Sequence, residues 1–128
     1  MIVLDASVVI AHFAVADAHH HDATELLLRS AGERLVVHPL TVAEILVRPA
    51  VQGRELKQLE RLKSMQVETW AMDADAPLRL ARLRASANLA MPDCCVLDLA
   101  LQMRGSIATF DERLARVAAG LDIDVIRD

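Results

Sequence analysis

Four acidic side chains of this 128-residue chain stand where a carboxylate has chemistry to do. Asp5 ends the apolar run of "MIVLDASVVI", in which Ile2 to Leu4 read as a buried strand. Asp111 takes the same place after "SIAT", past another short strand and two residues beyond Thr109. Asp93 begins a helix after Met91 and Pro92. Glu44 lies inside a helical stretch from Leu40 to Val47, on the face those two residues are expected to bury. Helix caps account for Asp5, Asp93 and Asp111 taken singly. An i,i+4 pair with Arg48 accounts for Glu44. Taken together, the acids read differently. Carboxylates about 4–6 Å apart at one end of a sheet repel each other, and a divalent cation is the usual resolution. Oxygen ligands without a Cys/His pairing pattern favour Mg²⁺ or Mn²⁺ over zinc, and such a site grips phosphates.

Other reactive residues point elsewhere. His19, His20 and His21 are adjacent, so their rings diverge and do not chelate one ion as an i,i+4 pair does. They read as a polar helix entrance. His12 and His38 are isolated and read as satisfied core or edge histidines. Cys94 and Cys95 are neighbours in a helix, pointing about 100° apart, which argues against a disulfide between them. No Cys–His arrangement suggests a thiol nucleophile. Asp98 follows Asp93 by five residues, about 140° round a helix. It reads as a surface or inter-helix acid ahead of any role beside a metal.

The elements that must position these groups alternate. Strands are predicted at Ile2–Leu4, Leu35–His38, Val67–Trp70, "SIAT" and "DVI". Helices are predicted from Ser7 to about Ala14 and through Ala23, Leu26, Leu27, Ser30 and Ala31 up to Gly32. Pro39 opens the next helix, which Pro49 and Gly53 are expected to break or kink. "RELKQLERLKSM" reads as a basic amphipathic helix with Leu56, Leu59 and Leu62 inward. Asp73 is expected to cap a helix carrying Leu80, Leu83 and Ala87. The helix after Pro92 turns Val96, Leu97, Ala100 and Leu101 inward until Gly105, and the last runs from Asp111 to Ala119. The order β-α-α-β-α-α-β-α-α-β-α-β implies one α/β domain. Its mostly parallel sheet of about five short strands carries helices on both faces.

Composition agrees. Apolar residues make up 54% of the chain, and its only aromatic residues other than histidine are Phe13, Trp70 and Phe110, so the core is aliphatic. A net charge of −4 argues against coating nucleic acid by bulk electrostatics. Eight of the fourteen basic residues nevertheless lie between Arg48 and Arg84. Among them Arg48, Arg54, Lys57 and Arg61 are placed to guide an RNA backbone or simply to solvate helix faces. The charge-free stretch Ala6 to Ala16 is too short to span a bilayer, and a reduced, cytoplasmic protein with no membrane contact is expected.

The segments "IVLDASVVI", "TVAEIL", "MPDCCVLDLAL" and "ATFDERL" resemble, in order and spacing, the four motifs of PIN-domain ribonucleases, above all the VapC toxins of bacterial toxin–antitoxin pairs. The resemblance runs from the first strand to the last and implies a single Rossmann-like PIN domain over residues 1–128. It implies a Mg²⁺- or Mn²⁺-dependent endoribonuclease, usually dimeric and held in check by a cognate antitoxin. The family's acidic positions fall on Asp5, Glu44, Asp93 and Asp111, and its small hydroxyl positions on Ser7 and Thr109. Where members often read "PDA", this chain reads "PDCC", and the acid at Asp98 is unusual; neither departure touches the four acids. Two rival readings stay open. One is a PIN fold that binds RNA or a partner without catalysis. The other is a phospho-receiver-like domain, which lacks its late lysine here because the last Lys is Lys63. A dinucleotide-binding domain lacks its G-x-G-x-x-G.

Overall fold

The computed structural model describes residues 1–127. In chain order the elements are β1 (Ile2–Leu4), α1 (Ala6–Phe13), α2 (His20–Arg29), β2 (Leu35–Val37), α3 (Pro39–Val51), α4 (Glu55–Ser64) and β3 (Glu68–Thr69). They continue with α5 (Ala76–Ala87), α6 (Met91–Met103), β4 (Ser106–Ala108), α7 (Glu112–Gly120) and β5 (Val125–Ile126). The strands form one parallel sheet in the order β3-β2-β1-β4-β5.

Successive strand residues point to opposite faces, and both faces are covered. Ile2, Leu4, Leu35, Val37 and Ala108 face α1 to α4, where Val8, Val9, Leu26, Ile45 and Leu62 meet them. Val3, Val36 and Ile107 face α5 to α7, against Leu80, Val96, Leu97, Leu99 and Leu114. Each fully buried Val, Leu or Ile contributes about 1.5–3 kcal/mol. The continuous apolar strands follow from that double covering.

The chain leaves β1 for β2 and β3 on one side, then returns to place β4 on the other. Neighbouring strands β1 and β4 therefore carry their outgoing connections away from one point. Open α/β sheets form their binding crevice at such a switch point, beyond the carboxyl ends of the strands.

Several helix faces differ from expectation. Leu56 is 74% exposed, Leu59 is half-buried, and only Leu62 of that trio is fully buried. A short, strongly polar helix lies on the domain along a narrower stripe than its leucine spacing suggests. Leu101 is also exposed, because α6 buries Cys94 to Ala100 and has emerged from the core by then. Pro49 does not break α3, which runs on to Val51. In the last turn a proline forfeits a single i→i−4 bond. Asp73 does not cap α5. The helix starts at Ala76 behind Asp75, and Asp73 instead accepts from the Asp75 N–H at 3.0 Å and pairs with Arg79. Arg104 takes the left-handed turn at the end of α6. Gly105 serves a different need: a Cβ there would stand 3.1 Å from the Met1 carbonyl, where the chain enters β4 beside β1.

Candidate active site at the β1 and β4 strand ends

Asp5 follows β1 directly, and its backbone N–H donates to Ala108 O of β4 at 3.0 Å. It stands at the N-cap position of α1 with no side-chain cap bond. Its carboxylate, 6% exposed, turns instead to two hydroxyls. Ser7 Oγ and Thr109 Oγ1 each donate to Oδ2 at 2.7 Å. Both hydroxyls also accept from the backbone after β4. Phe110 N–H reaches Ser7 Oγ at 3.1 Å, and Asp111 N–H reaches Thr109 Oγ1 at 3.0 Å. One network thus clamps the β1 acid to the β4–α7 connection. It occupies Oδ2 and leaves Oδ1 outside both hydroxyl bonds.

The other acids divide the same way. Asp111 caps α7: its Oδ1 accepts from Leu114 N–H at 2.9 Å. Asp93 lies in the first turn of α6, three residues past the Ala90 N-cap, and makes no cap bond. Its carboxyl is pushed up to about 6, first by burial and then by the charges of Asp5 and Asp111, with Arg113 pulling the other way. Arg113 had no sequence signal; it is held here by a 2.6 Å bond to Asn88 O.

Glu44 does not sit on a buried face. Leu40 and Val47 are 40% and 62% exposed, and α3 buries Thr41 and Ile45 instead. Glu44 is half-buried in a groove of about 120 Å³ lined also by Ile10, Phe13, Arg48 and Pro49. Among the described residues it forms no ion pair with Arg48. Its carboxyl lies above the usual range through burial and through the charges of Asp5 and Asp93. Asp5, Glu44, Asp93 and Asp111 therefore act on one another from four elements, α6 touching β1, β4 and α3. Among the described residues, no three His, Cys, Asp or Glu side chains are close enough to grip one ion as they stand. The donor set nevertheless suits a hard cation. It consists of carboxylate oxygens, and burial together with the neighbouring carboxylates raises the pKa of two of them, Glu44 and Asp93, a burden that a bound cation would relieve.

Asp98 stands apart. It is buried between α5 and α6 and receives Arg79 Nε at 2.8 Å and Nη2 at 3.1 Å, while the same guanidinium holds Asp73 at 3.0 Å. This is the inter-helix acid that was expected. His38 is buried, and its Nδ1 accepts from Leu40 N–H at 3.0 Å, capping α3. His12 bonds Thr24 at 2.9 Å. Cys94 and Cys95 are free and buried, and burial pushes both thiols up, Cys95 to about 11, which disfavours the reactive thiolate. Of the basic residues, Arg61 lies over the Phe13 ring at 4.5 Å, and Arg54 lines a groove with Phe13 and Pro49. Lys57 is exposed on α4.

The profile of the PIN domain family matches residues 2–120. The chain belongs to the PIN domain family. Solved structures agree with this PIN domain in fold. The crystal structure of VapC20 from Mycobacterium tuberculosis, a sarcin-ricin loop cleaving toxin, superposes with a TM-score of 0.78 at 14% identity. The match covers 91% of this chain and 95% of that one. A toxin–antitoxin complex from Klebsiella pneumoniae gives 0.73 at 19% identity, and FitAcB from Neisseria gonorrhoeae 0.73 at 20%. Each covers 99% of this chain and 97% of the other. No curated protein sequence matches the chain significantly. Membership of this family removes the phospho-receiver reading. No helix among the described residues is long and apolar enough to cross a membrane.

Proposed function

We propose that this PIN domain is a Mg²⁺- or Mn²⁺-dependent endoribonuclease that serves as the toxin of a toxin–antitoxin pair. The observation that carries the reading is the set of four acids carried by separate elements around the β1/β4 switch point, with Glu44 and Asp93 raised in pKa by burial and by the other acids' charges. Asp5, Glu44, Asp93 and Asp111 would hold the cation. When bound it supplies neutralisation of the scissile phosphate and a lowered pKa for the attacking water. The chain's own groups do the rest. Ser7 and Thr109 fix the Asp5 carboxylate through Oδ2 and so aim Oδ1. The Leu114 bond fixes Asp111 Oδ1 and leaves Oδ2 for the site. In-line attack by water, rather than by the 2′-hydroxyl, leaves 5′-phosphate and 3′-hydroxyl ends. Arg48, Arg54, Lys57 and Arg61 flank the Glu44 side and guide the RNA backbone.

Toxin action rests on the structural neighbours, one an RNA-loop-cleaving toxin and another a toxin–antitoxin complex. A cognate antitoxin is the expected protein partner, with a guanidinium-to-carboxylate contact as one means of blocking an acidic site. A homodimer in the cytoplasm is the expected form. The test is cleavage of structured RNA by the purified protein. Mg²⁺ or Mn²⁺ should support it, chelation should stop it, and Asp5→Ala and Asp93→Asn should each reduce it by orders of magnitude. Equal cleavage by wild type and both variants would remove the acids from catalysis and favour a binding module.

A further inference from the structure

The carboxylate site leaves one sequence motif unused, the run His19-His20-His21. Its three imidazoles go three ways. His20 Nδ1 bonds Ala11 O at 2.9 Å, and His21 faces Glu25 at 3.9 Å. His19 stacks on Phe110, with ring centroids 4.7 Å apart and planes 10° from parallel. That is the spacing of an offset-stacked aromatic pair. His19 is exposed while Phe110 is half-buried, so the imidazole face turned away from Phe110 meets solvent.

The position of this pair is what gives it a use. Phe110 is one peptide bond from Asp111, and its N–H donates to the Ser7 hydroxyl that in turn donates to Asp5. The same bonds that aim the acids hold the Phe110 backbone. On the other side, the His19 backbone N–H is held by Asp17 Oδ1 at 2.8 Å, just ahead of α2. A cavity of about 320 Å³ opens beside the pair, lined also by Asp22, Glu112 and Arg127, the last two joined as an ion pair. RNA-binding sites stack unpaired bases on Phe, Tyr, Trp or His rings, and the contact tolerates any base because each has a π-face. With only Phe13, Trp70 and Phe110 available, stacking rings are scarce in this chain, and here a histidine supplies the second one.

We propose that His19 and Phe110 form a stacking platform for one unpaired nucleobase of the RNA next to the cleaved phosphate. The proposal rests on the nuclease reading above. It is tested by cleavage kinetics on a structured RNA with an unpaired loop, comparing wild type, His19→Ala and His19→Phe, with melting curves to establish that each is folded. His19→Ala should lower kcat/KM about tenfold, as loss of one base stack does. His19→Phe, which keeps a ring and discards the imidazole nitrogens, should restore it. Binding supplies a second readout. A short oligouridylate carrying one 2-aminopurine should lose fluorescence on binding the Asp93→Asn protein, and the quench should disappear when His19→Ala is added. A His19→Ala enzyme equal to wild type, a His19→Phe enzyme no better than His19→Ala, or a quench unchanged without the imidazole would each overturn the platform while leaving the nuclease standing. A wild type that cleaves no RNA would overturn the nuclease reading, and the platform with it.

Discussion

At the scale of residues, the acids that look alike in sequence do different work. Asp111 is a true helix cap, Asp5 and Asp93 are not, and Asp98 is spent on Arg79. Asp93 carries the clearest energetic consequence. Its pKa is about 6 in the fold against 3.8 for a free side chain, so the folded state binds this proton more tightly than the unfolded one. Between those values the unfolded chain gives up its proton first. The contribution of Asp93 to stability therefore falls as pH rises through about 4 to 6 and is flat above. Its size in metal-free protein is roughly 1–3 kcal/mol, part of the full shift being screened by solvent. Asp93→Asn removes the charge and keeps the shape, at a cost of about 0.3–1 kcal/mol of favourable interaction with the α6 dipole. In EDTA near pH 7.5 the variant should melt higher than wild type, by about 3–6 °C. Near about pH 4.5, where Asp93 is largely protonated in the fold but mostly ionised in the unfolded chain, the gap should shrink to about a third, and it should close only below about pH 4. A thermal melt at the two pH values checks both. A variant that melts lower at the higher pH would mean that burial and repulsion do not burden this carboxylate.

At the scale of elements, α4 buries a narrower stripe than its leucine spacing predicts. Leu56, Leu59 and Leu62 share a helical face, yet only Leu62 packs on Leu26 and its neighbours in the core. Leu62→Ala should cost about 2–5 kcal/mol, as a buried truncation does. Leu56→Ala should stay within about 0.5 kcal/mol, as exposed substitutions do. Equal losses in denaturant unfolding would restore the expected face. The order of the twelve elements was legible because apolar triplets such as Ile2–Leu4 and Leu35–Val37 are fully buried strands punctuated by Pro, Gly and acids. Helix faces were less legible, since the angle at which α3 or α6 meets the sheet decides whether Leu40, Val47 or Leu101 is covered, and no local spacing encodes that angle. Asp5 and Asp111 stood out in the sequence by position after strands, Glu44 and Asp93 by motif order. The hydroxyl clamp on Asp5 was legible in its members, Ser7 and Thr109, but not in its atoms. Arg113 and the His19–Phe110 stack join residues 25 and 91 positions apart, contacts that only the fold creates.

At the scale of the whole molecule, the parallel sheet brings the carboxylates near enough to feel one another's charge, Glu44 that of Asp5 and Asp93, and Asp93 that of Asp5 and Asp111. The strand order brings Asp5 and Asp111 to neighbouring strand ends, and α3 and α6 add Glu44 and Asp93 over them. An acidic protein of net charge −4 then has a phosphate-directed site only if a cation reverses the local sign. The nuclease therefore depends on cation capture by these four groups. Titration of Mn²⁺ followed by electron paramagnetic resonance of the free ion reads it directly. Wild type should sequester Mn²⁺ at a saturable site, and Asp5→Asn and Asp93→Asn should each bind about tenfold more weakly or worse, a ligand loss being at least as costly as loss of a supporting bond. Wild type that leaves Mn²⁺ free, or variants that bind it as well as wild type does, would contradict the metal site and the nuclease built on it.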